Sequence, residues 1–142
     1  MFIDHEIIKV DKNGIWLSDG EPITHEKTLI AYNRFLGKDD QGYYIQIGNN
    51  FKRIEVEDTA YFITTVFKKE HEDWQIRLSD GTYETLDPQT LRYKPQRLTC
   101  LVKNKQHEAK FLSQAYHDAL KDLDMENENY FIYMNGKKIK IN

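Results

Sequence analysis

The chain has 142 residues, with 20 basic and 23 acidic side chains and a formal net charge of −3. Hydrophobic residues make up 39% and aromatics 13%, enough to bury a core, which excludes an intrinsically disordered chain. No apolar run approaches the ~18 residues of a membrane span, and the slight acidity argues against general nucleic-acid binding, which needs a basic face.

The opening residues carry Asp4, Glu6 and Lys9 in place of the apolar stretch of a signal peptide, so a cytoplasmic protein is expected. The single Cys100 fits that compartment and excludes an internal disulfide. Ile7–Val10 and Ile15–Leu17 are short β-prone runs around the turn signal Asp11-Lys12-Asn13-Gly14. Ser18-Asp19-Gly20-Glu21-Pro22 makes a second turn. Thr24 then offers a cap, and Leu29, Tyr32, Asn33 and Leu36 recur at helical spacing up to Gly37, predicting a helix over 24–36. A strand over 42–47, the turn Gly48-Asn49-Asn50 and an alternating strand over 51–56 follow. That alternation sets Phe51, Arg53 and Glu55 on one face and Lys52, Ile54 and Val56 on the other.

Strands are then expected over 60–67 and 73–78. The hairpin turn Ser79-Asp80-Gly81-Thr82 returns the chain into a strand over 83–86. Asp87 and Pro88 suit the cap and first position of one helical turn. Leu98–Val102 reads as a buried strand. Phe111, Leu112, Ala115, Tyr116, Ala119, Leu120 and Leu123 recur at helical intervals, predicting a helix over 105–123 opened by Asn104, with Leu112, Tyr116 and Leu120 as its buried stripe. Tyr130–Met134, Asn135-Gly136 and Lys137–Ile141 spell a hairpin. The lysines near its end, and Lys103 and Lys105 around the preceding turn, are read as edge protection ahead of an anion site.

The two ends resemble each other. Tyr43 to Ile54 lies over Tyr130 to Ile141 without a gap, and each hairpin follows a helical pattern opening with His-Glu, at His25-Glu26 and His107-Glu108. One helix on three strands buries little by itself, so two copies joined by a meander are expected to complete a core. The fold class is therefore α+β, built from duplicated strand–helix–hairpin units with antiparallel sheets; no run of alternating strand and helix calls for a parallel sheet. The expected division is residues 1–58 and 59–142, at the end of the charged run Glu55-Val56-Glu57-Asp58.

Several motifs come in a characteristic order: Asp11-Lys12-Asn13-Gly14-Ile15-Trp16, Gly20-Glu21-Pro22-Ile23, Asp40-Gln41-Gly42-Tyr43-Tyr44, then Ile54 to Asp58 with Tyr61-Phe62. Together with Val102-Lys103-Asn104, Glu108-Ala109 and Tyr116, they resemble the bacterial family named domain of unknown function 1285, from about Ile8 to the C-terminus. The resemblance implies two α+β halves, the second superficially pleckstrin-homology-like. It implies a pocket for a nucleotide-like ligand at the interface of the halves and a role in signalling. It brings no established activity. Gly48-Asn49-Asn50-Phe51 stand where the family shows Thr-Pro and an acidic residue, and Lys103 stands where an arginine is expected.

The residues themselves favour a binding module over an enzyme. The five histidines form no metal-binding spacing, no cofactor motif occurs, and Cys100 lies in an apolar strand as a small hydrophobe. Glu55, Glu57 and Asp58 are the acid–base candidates, read mainly as a solvated strand end. Trp16 and Tyr43 supply flat rings, Lys52, Arg53 and Arg77 supply cations, and Glu57 and Asp58 supply carboxylates. These seven are the candidate ligand-binding residues, suited to a planar anion such as a nucleotide. The alternative is a protein-interaction module that pairs through an exposed strand edge, as a homodimer.

Overall fold

The structure, a computed structural model, describes residues 2–142. The chain divides into two compact units, the first running through Ala60 and the second spanning Tyr61–Asn142.

In the first unit, β1 (Ile8–Val10) pairs antiparallel with β2 (Trp16–Ser18), which pairs with the short β3 (Glu21–Pro22). The Asp11 carboxylate closes the β1–β2 turn by accepting from the Asn13 and Ile15 amides at 2.8 and 2.9 Å. Helix α1 (Glu26–Arg34) is shorter than the expected 24–36. Its cap is His25, not Thr24, because the imidazole Nδ1 accepts from the Thr28 amide at 3.3 Å. The helix ends at Phe35 because the next residues, β4 (Leu36–Asp39), are claimed by pairing with β5 (Gly42–Ile47), which in turn pairs with β6 (Asn50–Arg53). The alternating run over 51–56 is broken at Ile54: β7 (Glu55–Val56) leaves the meander and joins β1 in parallel, an arrangement the element order did not anticipate. Ile8, Val10, Trp16, Ile45 and Ile54 are the buried side chains of this unit's sheets.

In the second unit, β8 (Tyr61–Phe67), β9 (Gln75–Leu78) and β10 (Tyr83–Thr85) form a meander, and a 3-10 turn (Pro88–Thr90) capped by Asp87 follows. Strands β11 (Arg92–Lys94), β12 (Arg97–Val102) and β13 (His107–Phe111) complete a sheet of order β10-β9-β8-β13-β12-β11, with β13 parallel to β8. The helix expected over 105–123 is thus half strand. His107–Phe111 is paired on both sides, with Ala109 and Phe111 turned inward, and Phe111 also happens to start the helical spacing. Asn104 caps nothing; with Lys103 and Lys105 it forms a left-handed loop, at φ 56, 58 and 64°. Helix α2 is Ser113–Ala119, and its buried positions are Ala115 and Ala119, not Leu112, Tyr116 and Leu120. A helix of about two turns lying on β8 seats small side chains against the sheet and leaves the bulkier ones half-exposed.

After α2 come β14 (Asp124–Glu126), β15 (Asn129–Met134) and β16 (Lys137–Lys140), a second three-stranded meander. Each unit therefore holds a helix followed by three strands, where the sequence reading expected a hairpin alone. The pairings also correspond. Gly37↔Tyr44, Asp39↔Gly42, Tyr44↔Arg53 and Gln46↔Phe51 match Asp124↔Phe131, Glu126↔Asn129, Phe131↔Lys140 and Tyr133↔Lys138 at the offset that carries Tyr43 onto Tyr130. The α+β class with antiparallel sheets holds, with the two parallel pairs as the exceptions.

Candidate functional site

The antiparallel phase of β5 and β6 builds the candidate site. The Ile54 amide donates to the Tyr43 carbonyl at 3.1 Å, so the Lys52 and Ile54 backbone groups face β5. Phe51 and Arg53, one step out of phase, direct their backbone N–H and C=O away from the meander. Beside this outer edge runs the segment ahead of β1. The Lys52 ammonium donates to the Ile3 and Asp4 carbonyls at 3.0 and 3.1 Å, and Phe2 rests on Tyr32 with ring centroids 6.0 Å apart. Between them lies a cleft of about 570 Å³, lined by Phe2, Asp4 and Glu6 on one side and by the run from Asn49 to Glu55 on the other.

The outer face of the meander is a stack. Tyr44 and Phe51 have ring centroids 5.0 Å apart, and the Arg53 guanidinium lies over both, at 5.7 and 5.2 Å. A carboxylate fixes that guanidinium in a fork: Nη1 and Nη2 donate to Asp39 Oδ1 and Oδ2 at 2.8 and 3.0 Å. The bond from Arg53 holds the exposed Asp39 carboxyl below the usual carboxylate range. Gly37 is required beneath this stack, because a Cβ there would stand 2.6–2.7 Å from the Tyr44 ring.

The seven residues expected at the site separate. Lys52 and Arg53 share the cleft. Tyr43 lies one pairing step away, with the Lys38 ammonium 5.3 Å from its ring. Trp16 is core: it is 3% exposed, its indole N–H donates to Asn33 Oδ1 at 3.3 Å, and its ring meets Tyr32. Glu57 pairs with Lys9 at 3.7 Å, and Asp58 follows it in the bend after β7. Arg77 belongs to the second unit, on β9, where Nη1 donates to Thr64 Oγ1 at 3.3 Å. Sequence reasoning overlooked Asp4 and Glu6, since nothing local marks the N-terminal segment as a neighbour of β6. Phe51 was visible as an aromatic beside two cations.

The second unit has its own clefts. One, of about 340 Å³, includes Lys68, whose ammonium stands 4.5 Å from the Trp74 ring centroid. Burial pushes the Lys68 amine below its usual range. Another, of about 430 Å³, lies at the left-handed loop, where Lys103 pairs with Asp80 at 2.7 Å and Lys105 with Asp87 at 3.3 Å. Burial pushes Cys100 up, away from the reactive thiolate. Among the described residues, no group of three or more His, Cys, Asp or Glu side chains is placed to hold a metal ion.

No family model matches the sequence, and no curated protein matches it. Solved structures do. A DUF1285 family protein from Shewanella baltica OS155 is 15% identical, covering 86% of this chain and 96% of its own, with a TM-score of 0.65. A DUF1285 family protein from Silicibacter pomeroyi DSS-3 is 13% identical, covering 98% of this chain and 79% of its own, with a TM-score of 0.70. The resemblance first carried by the Asp11–Trp16 and Asp40–Tyr44 motifs therefore extends to the fold.

Proposed function

We propose that this chain, folded like two DUF1285 family proteins, is a non-enzymatic ligand-binding module with a regulatory role, and that its ligand enters the cleft of the first unit. The observation that carries this reading is the cleft itself. Its ~570 Å³ falls within the range of small-molecule sites, and it combines an aromatic wall at Phe51 with a cation at Lys52. Lys52 is held by two carbonyls and, among the described residues, by no carboxylate, so its charge is available. A nucleotide-like molecule would set its base against Phe51 and an anionic group on Lys52. A binding role, rather than acid–base or thiol catalysis, is supported by the pairing of Glu57 with Lys9 and by the burial of Cys100, a lone thiol that also fits a cytoplasmic location.

A panel of mononucleotides, dinucleotides and cyclic nucleotides tests this by thermal shift. A ligand at about 100 times its Kd stabilises by about 2.7 kcal/mol. Lys52→Ala is expected to weaken that shift and, by releasing Ile3 and Asp4 at the surface, to lower the unliganded melting point only slightly. Absence of any shift at millimolar ligand overturns the small-molecule assignment.

A second reading, pairing through a strand edge, is favoured by the outer edge of β6, which pairs with no strand among the described residues. The matching registers of the two helix-plus-meander segments support a duplication of one ancestral unit. The β-rich second unit with its single short helix is compatible with the pleckstrin-homology-like character that the family resemblance implies.

A further inference from the structure

We propose that the outer edge of β6 accepts an extended, lysine- or arginine-bearing segment of a partner polypeptide as an added strand within the cleft. The inference rests on the cleft being the binding site, and it names a polypeptide as the occupant. The carrying observation is the backbone phase. Phe51 and Arg53 both turn N–H and C=O into the cleft, and among the described residues no strand pairs with β6 on that side. Residues 2–7 alongside are attached through the Lys52 ammonium, which donates to the Ile3 and Asp4 carbonyls, and form no ladder with the edge. An extended chain laid there would complete up to four backbone hydrogen bonds, the basis of recognition by strand addition.

The corresponding edge in the second unit shows the contrast. Strand β16 carries Lys138 and Lys140 at the positions matching Phe51 and Arg53, and lysines on an outer strand deter pairing. Strand β6 instead presents Phe51, 47% exposed, to a concave surface. Charge selects the partner. Asp4, Glu6 and Glu55 line the cleft against Lys52 and Arg53, and Arg53 is already neutralised by the Asp39 fork. Along the edge the carboxylates outnumber the cations, which favours a basic strand over an acidic one, while Lys52 remains a point of attraction for a compact anion.

The test uses the full chain, isotopically labelled, titrated with a blocked peptide of alternating valine and lysine and with its valine–glutamate counterpart. Binding of the lysine peptide is expected to slow exchange of the Phe51 and Arg53 amides. Phe51→Pro removes one outward N–H at an edge position that tolerates proline, and is expected to weaken binding about tenfold beyond Phe51→Ala. If Phe51→Pro does not fold, amide protection in the unmodified chain decides. Absence of lysine-peptide binding, or binding that leaves these two amides unprotected, overturns the inference. Equal binding of the glutamate peptide overturns the basic partner. Protection of the same amides by self-association, seen by sedimentation without peptide, assigns the edge to a second copy and overturns it too. A nucleotide that shifts melting in the same preparation while the peptide fails overturns strand addition and leaves the cleft reading standing. Failure of both ligands removes both.

Discussion

Trp16 separates a core role from a ligand role. Its side chain is 3% exposed, its ring meets Tyr32 at 5.6 Å between centroids, and its N–H is spent on Asn33. Truncation to alanine removes a buried aromatic from a unit whose other buried side chains are few, and is expected to cost about 3–5 kcal/mol. For a chain of this size that is a fall in Tm of roughly 6–20 °C. Trp16→Phe keeps most of the buried area, loses the indole bond and leaves the half-buried Asn33 oxygen unmatched, so about 1–2 kcal/mol is expected. Urea denaturation followed by far-ultraviolet circular dichroism gives both values. Ligand affinity of the folded Trp16→Phe protein should match that of the parent. A Trp16→Phe protein of parental stability that has lost ligand binding would refute the reasoning and return Trp16 to the binding set.

Other outcomes follow from the same geometry. Ala119→Leu, pressing a buried alanine of α2 outward, should destabilise by about 1–3 kcal/mol, whereas Leu120→Ala at a half-exposed position should cost less than the ~2–5 kcal/mol of a buried leucine; comparison of urea midpoints checks the order. Burial raises the Asp80 carboxyl pKa, but the bonds from Lys103 and Thr82 outweigh it and leave it below the usual value. The stability it contributes is therefore present above the ordinary carboxylate pKa and lost as pH falls through the lower folded value, so Asp80→Asn should flatten the acid limb of a stability–pH curve. Cys100, buried and with its pKa raised, should react with a disulfide reagent only slowly in the native state and rapidly in urea.

Local chemistry was legible in the sequence. Asn135-Gly136 turns at φ 54 and 70°, Asp87 caps the Pro88 turn, and Gly48 sits at φ 59° in the β5–β6 hairpin. Long-range pairing was not. Leu36-Gly37-Lys38-Asp39 lacks strand propensity and becomes β4 only because β5 is there to pair with it. His107–Phe111 has an apolar alternation that two flanking strands convert into β13, while the following Ala115 and Ala119 continue it in a helical rhythm. At the site, the Phe51 and Arg53 alternation was readable and correct. Glu55 was assigned to the same face because nothing in the run from Phe51 to Val56 signals the departure of β7 toward β1. The Asp39–Arg53 fork and the grip of Lys52 on Ile3 and Asp4 depend on register and on chain return, which a linear pattern does not encode.

Backbone amide shift mapping by nuclear magnetic resonance tests the cleft most directly. With AMP and the valine–lysine peptide added in turn to the labelled full chain, the account predicts that the largest saturable changes for whichever ligand binds fall at Asp4–Ile8 and Asn49–Glu55. Saturable changes centred on Lys68, Trp74 and Asn135, with Asn49–Glu55 unmoved, would contradict it.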